Sequence, residues 1–363
     1  MRNAPLVLLP VAAILLLLPL RSDAAPVEIT PADLRGALQP QVAVAPAGRI
    51  HVTFGKGNAI YYTASLDTGR TWTKPVKVAE LPKLALGMRR GPRIVASDKV
   101  LAITAISATD GNLHAWASYD EGATWKAGAN VNDAPNSARE GLHAMAGDGR
   151  GNAFVTWLDL RNGGMELWRA TSKDGGVTWA ANAPIYKSPD GHICECCHPS
   201  AAMDAQGRVA VMWRNWLGGS RDMYAALSSD GGTTFAAAQK LGSGTWKLNG
   251  CPMDGGSVAL RADGKPVTAW RREKTGFSAE LGGNEQRLSD SGFQPLVVTT
   301  PGEPAYLWQN GSDLFLKKGA FTPAVFARNA AFASAATLPD GRAVVVWESS
   351  ANGAKTLLAE VLD

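Results

Sequence analysis

Apolar positions along the chain fall into short β-rich runs, most of them introduced by a glycine-containing turn and ended by an aromatic residue. Runs at 48–54, 152–157, 207–213, 264–270, 302–308 and 341–347 end in Phe54, Trp157, Trp213, Trp270, Trp308 and Trp347. A further run at 99–106 fills the place between the first two. An apolar strand precedes each turn and another follows each run, which predicts seven successive antiparallel units. Four-stranded units of this kind, repeated around an axis, make an all-β fold, the β-propeller. The last unit has strands near 331–336, 343–347 and 356–361, and the stretch 27–30 is expected to supply its fourth strand and close the ring.

A second pattern, Ser-x-Asp-x-Gly-x-Thr-aromatic, occurs four times. It starts at Ser65, Ser118, Ser172 and Ser228, with spacings of 53, 54 and 56 residues. Each copy is a self-sufficient turn. Its aspartate accepts backbone N–H bonds, its glycine takes a backbone angle that other residues avoid, and its aromatic ring packs beneath the hairpin. These residues are folding devices, not catalytic groups. They resemble the Asp box, or BNR repeat, of the sialidase-like propellers, and at the level of fold the resemblance covers nearly all of the chain after its first two dozen residues. The better-known sialidases have six blades. The unit count here gives seven, with six as the alternative. In such a ring the boxes occupy the hairpins between third and fourth strands, and the resemblance implies that chemistry near the axis belongs to the opposite face.

Residues 1–24 predict a signal peptide, with Arg2, an apolar stretch from Leu6 to Leu20, and Ser22-Asp23-Ala24 before the cleavage point. Residues 25–363 then form one exported propeller domain, periplasmic or secreted, with no later segment apolar enough to span a membrane. A hydrophobic content of 45% with 19% charged residues describes a chain with a core and excludes a disordered tail. The net charge of +4 comes without a basic run, so neither nucleic acid nor an anionic membrane is expected as a partner.

The most unusual segment is His192-Ile-Cys194-Glu195-Cys196-Cys197-His198, in the loop leading into the inner strand of the fourth unit. A shift of 57 residues, the separation of Trp213 and Trp270, places Cys194 opposite Cys251. All four cysteines then meet at one edge of one face, and the equivalent backward shift brings His143 alongside. Three chemistries are open to this cluster. An exported protein favours disulfides, with Cys194–Cys251 bridging neighbouring blades and Cys196 and Cys197 paired or free. Thiolate and imidazole donors from Cys194, Cys196, Cys197, Cys251, His192, His198 and His143 suit copper(I) or zinc. Cys194, Cys197 and His198 also satisfy the C-x-x-C-H pattern for attachment of haem c.

Arg93, Arg214 and Arg271 fall on the same face, with Asp159 and Glu273 nearby, and an arginine-lined centre would favour a small anionic ligand or a carboxylate-bearing glycan. Sialidases use three arginines on the substrate carboxylate, a tyrosine activated by a glutamate, and an aspartate as acid/base. The nearest match to their first arginine is Pro92-Arg93-Ile94-Val95, which lacks the family's aromatic and proline and follows the first box. No tyrosine has a clear axial position. Two functions are compatible with these residues. One is a non-catalytic exported propeller whose cysteine cluster binds a soft metal or forms disulfides, for metal handling or for docking an exported protein. The alternative is an exo-sialidase-type glycoside hydrolase working through Arg93, Arg214 and Arg271 with Asp159 and Glu273.

Overall fold

Seven four-stranded antiparallel sheets surround one axis in the computed structural model, which describes residues 25–190, 192–351 and 353–362. The leader expected over residues 1–24 lies outside the described residues. The blades number seven, not six. Their inner strands, from blade 1 to blade 7, are Leu38–Val44, Arg93–Ala96, His143–Gly147, Ser200–Met203, Ser257–Leu260, Phe293–Val298 and Ala330–Thr337. The second strands are Ile50–Lys56, Leu101–Ile106, Ala153–Asp159, Val209–Arg214, Pro266–Arg272, Ala305–Asn310 and Ala343–Ser349.

A second strand packs a neighbouring blade on each side, which is why its sequence is apolar on both faces. In blade 3 every residue of Ala153–Asp159 is buried. The aromatic residues that end these runs are the anchors: Trp157, Trp213, Trp270 and Trp347 are among the largest fully buried side chains. Trp213 packs against Tyr186 and Tyr224 at centroid distances of 4.9 and 6.4 Å. Truncating such a side chain to alanine typically costs roughly 3–5 kcal/mol. The ring closes as the sequence predicts. Val27 and Glu28 pair antiparallel with Ala359 and Leu358, and Ile29 N–H bonds the Leu357 carbonyl at 2.9 Å.

Each Asp box is a closed set of hydrogen bonds. In the first, Asp67 Oδ1 accepts from the Ser65 hydroxyl and the Thr71 N–H, both at 2.9 Å, and Oδ2 accepts from the Thr71 hydroxyl at 2.6 Å. The same bonds recur at Asp120, Asp174 and Asp230. The threonine hydroxyl and N–H hold the Asp67, Asp120 and Asp230 carboxyls down to about 2. The box glycine also joins blades. Gly122 has φ +90°, and a Cβ there would lie 1.9 Å from Tyr62 of blade 1. At Gly232 a Cβ would lie 2.3 Å from Phe154 of blade 3, so these boxes press on the preceding blade.

The inner strands enclose an axial cavity of about 480 Å³. At the end away from the boxes, the inner strands of blades 1, 6 and 7 are interrupted by bulges. Gln39, Gln294 and Phe332 take left-handed φ values of 57°, 55° and 51° there. This irregular end holds the candidate chemistry.

Candidate thiol site and axial cavity

The loop before blade 4 is fixed by its backbone. Ile193 N–H bonds the Met165 carbonyl at 3.0 Å and Cys194 N–H bonds the Arg214 carbonyl at 2.9 Å. That anchorage buries the Cys194 side chain and leaves Cys196, two residues on, to meet the entry loop of blade 5. Cys196 forms the disulfide with Cys251, with Cα atoms 6.3 Å apart. The pairing expected from the repeat, Cys194–Cys251, is therefore corrected. The two entry loops are pressed together: a Cβ on Gly255 would lie 2.0 Å from the His198 carbonyl oxygen. Only glycine permits that approach.

Behind the disulfide lie two free thiols. Cys194 and Cys197 are both buried, and their sulfurs share a hydrogen bond at 2.9 Å. The Cys194 sulfur is also 3.8 Å from that of Cys196. Arg221 Nη1 donates to Cys194 Sγ at 3.3 Å. The hydrogen bond with Cys197, followed by the positive charges of Arg214 and Arg221, pulls the Cys194 thiol down to about 6. Burial pushes the Cys197 thiol up, and its neighbour Cys194 adds to that. The two shifts run in opposite directions, so the pair is asymmetric, with Cys194 the sulfur that ionises first. Sulfurs of Cys194, Cys196 and Cys197 all lie within 4.8 Å of one another.

The histidines do not join them. Among the described residues no imidazole nitrogen lies within 4.8 Å of all three sulfurs. His143 lies between blades 2 and 3, its Nε2 3.0 Å from the Thr104 hydroxyl and its carbonyl accepting from Arg93. His198 lines the axial cavity, and its Nδ1 accepts from Gly255 N–H at 3.3 Å. Burial, reinforced by nearby arginines, holds both rings well below the ordinary imidazole range. His192 lies tilted against Trp216, with ring centroids 5.8 Å apart. Of the residues in the haem c pattern, Cys194 and Cys197 have their sulfurs 2.9 Å apart, and His198 Nδ1 is turned to Gly255.

The arginines are present but committed. Arg214 donates to the carbonyls of Asp254, Arg221 and Arg271, at 2.9, 2.8 and 2.9 Å. Arg271 bonds Asp254 Oδ2 at 2.6 Å and the carbonyls of Glu273 and Pro252. Both guanidinium groups flank Trp246, at 5.2 and 5.1 Å. Arg93 bonds four backbone carbonyls, those of His143, Gly91, Pro92 and Arg89. Arg89 reaches over to Gln294 of blade 6 and Ala333 of blade 7, so it and Arg93 cap the axial cavity. Asp159 is buried against the Trp157 indole and Arg161, while Glu273 is exposed, with φ 57°. Neither acid lines the cavity, and no tyrosine does.

Sequence reasoning missed Arg221 and Asp254. Arg221 follows Arg214 in the loop on the same face, which was the available signal. Asp254 is buried, joins Arg214, Arg271 and Gln294, and keeps one carboxyl oxygen unpartnered. Its position follows from the same 57-residue shift, which sets it opposite Cys197.

Comparisons with known proteins agree with this architecture. The BNR repeat-like domain family matches residues 94–245. A polysaccharide lyase acting on ulvan superposes with a TM-score of 0.57 at 12% identity, covering 93% of this chain and 96% of that one. An α-L-arabinanase of Penicillium chrysogenum, solved with arabinobiose, gives 0.55 at 16% identity over 94% and 98%. The Aleuria aurantia lectin, solved with α-methyl-L-fucoside, gives 0.51 at 12% identity over 87% and 98%. At these identities the likeness is one of fold.

Proposed function

On the premise that the chain is a sialidase-like β-propeller of BNR repeats, we propose that it is an exported, non-catalytic binding protein whose buried thiol pair holds a soft metal ion. The observation that carries this reading is the convergence of the Cys194 and Cys197 sulfurs, 2.9 Å apart beside two guanidinium groups. Soft thiolates select copper(I), and two of them around a monovalent ion leave a net negative charge that Arg214 and Arg221 offset. Zinc asks for four ligands, and the histidines that would complete such a set lie elsewhere. The commitment of Arg93, Arg214 and Arg271 to carbonyl oxygens, and a cavity without tyrosine, favour binding over glycoside cleavage. Export rests on the leader pattern of residues 1–24.

The test is elemental mass spectrometry on protein exported through its own leader and purified without chelator. The expected result is near-stoichiometric copper, lost in Cys194→Ser and in Cys197→Ser. Metal-free wild-type protein with both thiols still titratable would overturn the reading.

A further inference from the structure

We propose that the four cysteines form a thiol–disulfide exchange relay, in which the disulfide moves between the rim pair Cys196–Cys251 and the buried pair Cys194–Cys197. Three observations place the atoms for it. Cys251 is exposed and Cys196 half-buried, so the existing disulfide faces solvent. The Cys194 sulfur sits behind it, 3.8 Å from Cys196 Sγ. Cys197 Sγ lies 2.9 Å from Cys194 Sγ, and all three sulfurs fall within 4.8 Å of one another. Cys194 and Cys196 are thus the sulfurs through which the two pairs meet.

Exchange proceeds by attack of a thiolate on a disulfide sulfur through a mixed disulfide. Cys194 thiolate attacks Cys196 Sγ; the Cys194–Cys196 bond forms, the Cys196–Cys251 bond breaks, and Cys251 leaves as thiolate. Cys197 then attacks Cys194 Sγ as its proton passes to the leaving sulfur, forming Cys194–Cys197 and releasing Cys196 as a thiol. The two protons lost by Cys194 and Cys197 are balanced by those taken up at Cys251 and Cys196. One disulfide and two thiols enter and leave, so no external oxidant or reductant takes part. The Arg221 guanidinium, 3.3 Å from Cys194 Sγ, is placed to stabilise the attacking anion. The outcome is positional: a dithiol that was enclosed becomes a dithiol on the surface. The exchange requires no metal, so its test is independent of the copper assignment.

Metal-free protein is incubated natively, without added thiol, in the presence of a bulky polyethylene-glycol maleimide that reaches only exposed thiols. It is then denatured, the remaining thiols are capped with N-ethylmaleimide, and the protein is digested with trypsin. Cys194, Cys196 and Cys197 fall in peptide 188–208 and Cys251 in peptide 248–261. In wild type, peptide 248–261 is expected to accumulate with Cys251 bearing the bulky label, while peptide 188–208 carries an internal disulfide. Cys197→Ser should halt after the first step, with Cys251 labelled and Cys194 joined to Cys196. Cys194→Ser should keep the two peptides linked. Wild-type peptides that stay linked as completely as those of Cys194→Ser would overturn the relay, whatever the metal content proves to be.

Discussion

On the face that carries the Asp boxes, four turns repeat one set of bonds, with the aspartate-to-threonine N–H distance at 2.9 Å in every copy. The opposite face shows no such repetition. There the entry loops of blades 4 and 5 hold a disulfide and two free thiols, and Arg89 spans from blade 2 to blades 6 and 7. Buried polar atoms of His192, Asn215 and Asp254 lack partners there. Repetition marks what the ring needs in each blade, whereas departure from it marks what only one place in the ring does.

The sharpest way to break that contrast is Asp254→Ala. It strands the Arg271 guanidinium, whose Nε now bonds Asp254 Oδ2 at 2.6 Å, so a loss of about 3–5 kcal/mol in urea unfolding is expected. An unchanged unfolding midpoint would mean that the irregular face carries none of the ring's stability. Next comes Gly122→Ala. The added methyl meets Tyr62 at 1.9 Å and the residue keeps φ +90°, and overpacking with left-handed strain should cost about 3 kcal/mol. Thiol reactivity is expected to match wild type; a changed labelling pattern would show that the two faces are coupled.

The smallest effect is expected from Asp120→Asn, read as melting temperature against pH. The Asp120 carboxyl sits at about 2 when folded, below its ordinary 3.8, so its contribution is complete above pH 4 and is lost as pH falls towards 2. The gap between wild type and variant should therefore be widest near neutrality and shrink between pH 4 and 2. A gap that is constant with pH would remove ionised Asp120 from the account of the turn.

The fold was legible because it repeats. Regular spacing of the boxes and of the Trp-ended runs marked seven blades, and the closing strand at Val27 followed from a last unit one strand short. The site was legible only in part. The shift that aligned Cys194 with Cys251 placed the right loops together but not the right sulfurs. Which cysteine turns inward is decided by two backbone bonds, from the Ile193 and Cys194 N–H groups to the Met165 and Arg214 carbonyls, and strand periodicity carries no information about them. Arg93 and Arg214 were found on the expected face, yet their use as carbonyl ligands depends on how adjacent loops fold over them. Asp159 looked available and proved fully enclosed by its own neighbours.

Ring closure also bears on the order in which the molecule assembles. Among the described residues, every strand pair but one joins neighbours in sequence; the exception brings Val27 to Ala359. Pairings between remote segments are intrinsically slow to form, because chain entropy is spent before the contact rewards it. Blades can therefore accumulate one after another while the circle stays open, and the last strand must arrive before it shuts. Cys196 and Cys251, 55 residues apart in consecutive blades, need no such wait. The covalent staple at their rim is thus available to the growing arc, and sulfur chemistry can begin on a protein that is not yet a ring.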